Sequence, residues 1–173
     1  AEINYGPWDR LKDNNPFIKG IGPKPEGARF YPENMTMEEY EKLNDHRKDG
    51  QYTIIERDEE GDLKVVPYHK KWKEELNRAA ELLEKAAQLA DNQKFSEYLK
   101  ARAKAFTSGD YYESDMAWMD MKDNLIDFVV GPIETYEDGL LGNKTAFEAY
   151  ILIKDKEWSA RLARFSVLLP GLQ

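Results

Sequence analysis

Two apolar stripes separated by a two-residue break limit the folds open to this chain more than any other feature. From Tyr68 to Ala90, Trp72, Leu76, Ala79, Leu83, Ala86 and Ala90 recur at alternating steps of four and three, which puts them on one side of a helix. Leu82 and Leu89 widen that side into a core-facing surface. After Asp91-Asn92, Phe95, Leu99, Arg102 and Phe106 continue the pattern as far as Ser108-Gly109. So short a break turns the second helix back along the first, and residues 68–108 read as an antiparallel helical hairpin.

The flanking segments follow other rules. Residues 1–35 hold five of the eight prolines together with Trp8, Phe17, Ile18, Phe30 and Tyr31. Proline interrupts helices and biases its predecessor toward extended backbone, while the aromatic residues need burial. This is an ordered, irregular strap, with a substrate-lining loop as its sharper reading. In residues 36–67, Thr36-Met37-Glu38-Glu39 is a capping box opening a short helix through Tyr40 and Leu43 that ends near Asp49-Gly50. Tyr52–Glu56 and Leu63–Pro67, separated by Asp58-Glu59-Glu60-Gly61-Asp62, make a small β-hairpin. Residues 109–173 combine an aromatic, methionine-rich segment (Tyr111 to Met121) read as core packing, a strand at Asn124–Val130, a second hairpin, and a closing amphipathic helix carrying Trp158, Leu162, Phe165 and Leu169. The expected fold is α+β and mostly helical, with the helical hairpin and amphipathic helices packed around a small antiparallel β-sheet. Residues 1–173 form a single domain or one lobe. Ile3-Asn4-Tyr5 starts as if within an element, and Pro170-Gly171-Leu172-Gln173 stops just after a helix, as in a fragment of a longer protein.

The formal charge of −8 disfavours nucleic acid and anionic membranes as partners. The chain has no cysteine, which removes disulfides and thiolate metal sites and leaves both cytoplasm and bacterial periplasm open. No run approaches the roughly 20 apolar residues that span a bilayer. Asn34-Met35-Thr36 and Asn143-Lys144-Thr145 match the glycosylation sequon, which has meaning only in a secreted chain.

Chemistry is sparse. His46 and His69, the only two histidines, lack the spacing that sets two imidazoles on one helical face, and no metal ligands or catalytic residues are assigned. Gly20-Ile21-Gly22 leads into proline rather than into a helix N-terminus, so it is no phosphate cradle. The carboxylates remain. Ile133–Tyr136 and Ala146–Ile151 alternate apolar and polar residues around a loop with Asp138-Gly139 and Gly142-Asn143. A turn centred near Leu141 sets Glu134 opposite Glu148, a like-charged pair that solvent, a cationic partner or a cationic ligand must offset. Three readings follow. The glutamates are a general acid/base pair, for which about 5 Å separates the carboxyls of a retaining glycosidase. They form an anionic pocket for a substrate ammonium group, with Tyr136 as a hydrogen-bond donor. Or they are solvated strand glutamates. A non-enzymatic interaction module gripping a partner with the strap and Tyr111–Met121 is a separate alternative.

Ile133-Glu134-Thr135-Tyr136-Glu137-Asp138, followed by Gly142 and Phe147-Glu148, resembles the substrate-binding segment of dipeptidyl peptidase III-type zinc metallopeptidases. Trp118-Met119-Asp120 with Asn124, Tyr5–Asp9 and Phe30-Tyr31-Pro32 are similar to the bacterial branch of that family. The resemblance implies a two-lobed exopeptidase in which one lobe, with a small β-core, binds peptide and the other holds zinc. It implies that Glu134 and Tyr136 hold the free amino terminus, with Glu148 as a nearby acidic residue of the same cleft. The family's H-E-x-x-x-H zinc helix does not occur here. The resemblance therefore implies a lobe with no cofactor of its own, zinc in the parent protein, and as partners a peptide and the zinc-binding lobe.

Overall fold

The computed structural model describes residues 7–171. The expectations for Ile3–Tyr5 and for Leu172-Gln173, and the Tyr5-Gly6 part of the resemblance, lie outside the described residues. The elements in order are β1 (Trp8–Asp9), β2 (Asn15–Pro16), α1 (Met37–Lys42), β3 (Thr53–Arg57), β4 (Leu63–Pro67), α2 (Tyr68–Lys71), α3 (Lys73–Leu89), α4 (Gln93–Ser108), α5 (Tyr112–Met119), β5 (Ile126–Glu134), β6 (Ala146–Ile153) and α6 (Lys156–Ser166). The fold is α+β and mostly helical, as the periodicities require. Its antiparallel pairing is divided into three separate ribbons, β1–β2, β3–β4 and β5–β6.

The helical hairpin forms where the stripes place it. Asn92 caps α4 by accepting from Phe95 N at 2.9 Å, and Gly109 ends it in the left-handed region (φ 80°). The expected continuous helix from Tyr68 is interrupted at Trp72 (φ −111°, ψ 42°). There the indole lies 4.9 Å from the Tyr68 ring and 5.7 Å from Phe147. Trp72 packs against both hydrophobic clusters, so the interruption joins two cores. The first core holds Leu76, Ala80, Leu83 and Ala87 of α3 against Tyr98, Leu99, Ala103 and Phe106 of α4. Leu82 and Leu89, expected to face it, are exposed. One neighbouring helix covers only a narrow strip, and among the described residues nothing packs on the wider side.

The second core joins the strap to β3 and β4 through Phe30, Tyr31, Tyr40, Ile54, Ile55, Val65 and Tyr68. The capping box is present, with Thr36 N donating to Glu39 Oε2 at 2.8 Å and Glu39 N donating to Thr36 Oγ1 at 3.2 Å. The helix ends at Lys42 rather than near Gly50. Lys48 Nζ folds back to donate to the carbonyls of Tyr40 and Glu41, which satisfies part of that terminus from outside.

Two expectations for residues 109–173 are corrected. Tyr111 and Met121 are buried, but Tyr112, Met116, Trp118 and Met119 on α5 are exposed, so most of the aromatic segment is not core. The closing helix α6 forms, with Asp155 capping Glu157 N and Trp158 N, yet Trp158, Leu162 and Phe165 are all exposed. Periodicity fixes a helix and its apolar side, but says nothing of what covers that side.

Candidate functional site

The site grows from an irregularity at the end of β5. Pairing runs regularly from Ile126↔Ile153 to Gly131↔Glu148 and Pro132↔Phe147, then shifts so that Glu134 pairs with Ala146. Pro132 has no N–H for the ladder, and Ile133 is the extra residue of a β-bulge. The expected facing pair of Glu134 and Glu148 therefore does not form. Glu148 lies two residues along β6 from the partner of Glu134, a diagonal relation of about 7–8 Å rather than direct opposition.

The two glutamates also differ in surroundings. Glu148 is only 7% exposed. Its Oε2 accepts from Tyr150 OH at 2.8 Å, and its Oε1 is buried without a partner. A Cβ on Gly131, opposite Glu148, would lie 3.1 Å from Arg102 Nη1, so a buried guanidinium borders the same stretch of ladder. Arg102 donates to Asp115 at 2.6 Å and leaves Nε and Nη1 unpartnered. The guanidinium thus packs against the β5 backbone at the residue paired with Glu148, and its ion pair is with Asp115. Glu134 is half-buried, and its carboxylate makes no hydrogen bond or ion pair among the described residues.

Tyr136 lies past the end of β5 and is 68% exposed. Its ring borders a cleft of about 450 Å³ whose far wall is the strap, at Asp13–Pro16 and Pro23–Glu26, with Glu137 and Gly139 completing the near wall. The strap thus supplies one wall of this cleft.

Beneath this cleft the loop from 135 to 145 is organised by a residue that read only as a turn former. Asp138 is buried, and its carboxylate accepts from Tyr31 OH at 2.7 Å and from the backbone N–H groups of Leu140, Leu141, Asn143 and Lys144. Burial pushes its carboxyl pKa up, but the donors prevail and hold it below the ordinary value. Lys144, fully buried, donates to Lys48 O at 2.5 Å, Thr53 Oγ1 at 2.8 Å and Gly50 O at 3.0 Å. Burial lowers its pKa to about 8. The Asp138-Gly139 signal was visible in sequence. What an aspartate between a bulge and a strap must satisfy was not.

Metal chemistry finds no fit here. No three His, Cys, Asp or Glu side chains among the described residues are placed to share an ion. His69 packs against Gly109, where an added Cβ would collide with Nδ1, and burial lowers its pKa. The described residues do not fit a zinc site.

Comparison with known proteins identifies the family. The model of peptidase family M49 matches residues 42–167. The solved structure of DPP III from Caldithrix abyssi is similar at 47% identity and a TM-score of 0.85, over 98% of this chain and 33% of that one. Dipeptidyl-peptidase III from Corallococcus sp. strain EGB is similar at 38% identity and a TM-score of 0.81, over the same shares. A plant protein, Nudix hydrolase 3 of Arabidopsis thaliana, is 31% identical over 99% of this chain and 29% of its own length. The chain thus spans about a third of the solved relatives' length. With the family model covering most of its residues, the chain belongs to peptidase family M49.

Proposed function

We propose that this chain is the peptide-binding lobe of a dipeptidyl peptidase III-type exopeptidase, and that it holds the free amino terminus of the substrate. One observation carries the reading: Glu134, at the bulged end of β5, presents a carboxylate with no partner among the described residues, two residues in sequence from Tyr136 on the wall of an open cleft. A peptide ammonium is a cation suited to it, through a charge-assisted hydrogen bond. Tyr136 contributes a phenolic oxygen from the cleft wall. Glu148 acts from behind through its buried negative charge, held in place by Tyr150. Fixing the ammonium sets which peptide bond is presented to the reacting groups, which is how an exopeptidase counts residues. Those groups belong to the remainder of the protein, where the family's zinc is expected. The 173-residue chain alone binds and orients without hydrolysing.

The alternatives lose ground on particular observations. A two-carboxylate hydrolase rested on Glu134 facing Glu148, and that pair does not form. The name of the plant relative raises phosphate chemistry, yet the chain is acidic and lacks a glycine loop leading into a helix N-terminus. The exposed aromatic residues of α5 and the apolar side of α6 favour an interaction role, but the absent two thirds of a family-sized protein is a sufficient partner for them.

The test is an NMR titration of the chain with tetra-alanine and with N-acetyl-tetra-alanine. The free peptide is expected to shift the amides of residues 134–136, and the acetylated peptide to leave them unmoved. Glu134→Gln is expected to weaken the free peptide roughly tenfold or more. Equal binding of both peptides overturns the reading. So does zinc-dependent hydrolysis of a dipeptidyl arylamide by the chain alone.

A further inference from the structure

Three consecutive residues following Tyr136 are each tied to the amino-terminal strap. Glu137 forms an ion pair with Lys24, both side chains largely buried. Asp138 accepts from Tyr31 OH at 2.7 Å. Gly139 N donates to Glu26 O at 2.8 Å. Both sides of the seam depend on glycine for close approach. A Cβ on Gly139 would sit 3.0 Å from Glu26 O, and one on Gly27 would sit 2.7 Å from the Tyr31 ring.

Between the ties at Glu26 and Tyr31, the strap backbone runs through Ala28 (φ 43°) and Arg29 (φ 69°), two successive non-glycine residues in the left-handed region. Such backbone persists only where its surroundings over-determine it. The strap is therefore held in one defined conformation. The cleft beside Tyr136 lies along this seam, and Lys24 and Glu137 both line it.

We infer that Lys24 is a positioning residue for recognition of the peptide amino terminus, acting together with Tyr31, which ties the adjacent Asp138 to the same strap. The inference rests on the proposed function. By neutralising Glu137, Lys24 leaves Glu134 as the carboxylate available to an incoming ammonium near Tyr136. By pinning the strap, it fixes the cleft wall that faces Tyr136. Without Lys24, Glu137 becomes a buried, unpaired carboxylate beside the site. It then competes for the ammonium group or draws the loop out of place.

The test uses the same two peptides on the 173-residue chain, with thermal stability measured alongside. In folded Lys24→Met protein the dissociation constant for tetra-alanine is expected to rise about tenfold, the scale at which supports of a direct contact are felt. Lys24→Arg, which keeps the charge, is expected to restore binding. A merely structural role lowers the melting temperature but leaves the affinity of the folded protein unchanged, and that result overturns the inference. Should Lys24→Met fail to fold, Tyr31→Phe decides, since it removes one hydrogen bond and no charge. An affinity loss in folded Tyr31→Phe supports positioning, and wild-type affinity overturns it. If wild-type protein does not distinguish free from acetylated peptide, the reading of the site itself has failed. If wild type does and Lys24→Met binds like wild type, only the role of Lys24 has failed.

Discussion

The two larger β-hairpins of this protein use similar residue types to opposite ends. β3 and β4 pair in unbroken register from Thr53↔Pro67 to Arg57↔Leu63 and close through a charged turn. In that turn Asp58 accepts from the amides of Glu60 and Asp62, and its neighbours face solvent. β5 and β6 carry a bulge, and their longer loop is folded around Asp138 and bound to a strap more than a hundred residues away in sequence. Both turns depend on an aspartate and a glycine. The first satisfies only itself and is scaffold. The second is over-determined by distant parts of the chain, which is what precise placement of Glu134 and Tyr136 requires.

The sharpest test of this contrast exchanges each aspartate for asparagine. Asp138→Asn replaces an acceptor of one hydroxyl and four backbone donors with a neutral amide that carries its own donors. The expected loss is roughly 3–5 kcal/mol, the scale of breaking a buried, charge-assisted network. Asp58→Asn is expected to cost less than about 1 kcal/mol, because water replaces what the exposed turn loses. Urea denaturation of both variants measures the gap. Equal losses would remove the distinction.

The glycines give the next largest effect. Gly139→Ala places a methyl 3.0 Å from the backbone carbonyl of Glu26, which cannot rotate away, and is expected to cost about 1–3 kcal/mol. Gly61 in the β3–β4 turn has φ 93° but nothing within 4 Å of an added Cβ. Gly61→Ala then carries only the conformational penalty, about 1–2 kcal/mol. The decisive readout is peptide binding. Gly139→Ala is expected to weaken it by shifting the loop against the strap, and Gly61→Ala to leave it unchanged.

The contrast also explains what was legible in the sequence. Residues 93–108 read correctly as a helix because Asn92, Gly109 and the apolar spacing are local signals. The β3–β4 hairpin read correctly for the same reason. The second hairpin misled because its register depends on Pro132 and the bulged Ile133, and one skipped residue changes every partner beyond it. The family resemblance proposes roles for Glu134 and Tyr136, includes Tyr31 and Asp138 without giving them one, and does not extend to Lys24 or Lys144. The roles of these last four arise from contacts across large sequence distances, and an aspartate before glycine or a lysine in a polar loop is ordinarily a solvated turn residue. The apolar side of α6 was read, but its cover is not among the described residues.

Alkaline pH separates the two hairpins more gently. Burial lowers Lys144 from 10.5 to about 8. Below pH 8 it is protonated in folded and unfolded chains alike. From pH 8 toward 10 the unfolded chain keeps a proton that the folded one releases, so stability rises with pH. Above about pH 10 the trend reverses. Burial pushes the hydroxyls of Tyr31, Tyr40, Tyr68 and Tyr111 well above their ordinary value, and the folded state then keeps protons that the unfolded state loses. Urea midpoints taken from pH 7 to 11 are expected to rise and then fall. Lys144→Met is expected to abolish the rise and leave the fall. An identical rise in the variant would assign it to another group.

The smallest expected effect on stability falls on the residue placed closest to the ligand. Tyr136 is exposed at the cleft wall, so Tyr136→Phe is expected to change stability by less than about 0.5 kcal/mol, as for surface substitutions generally. Its consequence should appear in binding above all, because the residue lines the open cleft and contributes little buried surface. A drop in tetra-alanine affinity of about threefold to tenfold at unchanged stability would set Tyr136 apart from Asp138, whose loss unfolds the loop before binding can be asked about. Equal destabilisation by Tyr136→Phe and Asp138→Asn would mean that Tyr136 belongs to the clamp. The recognition of the amino terminus would then rest on Glu134 alone.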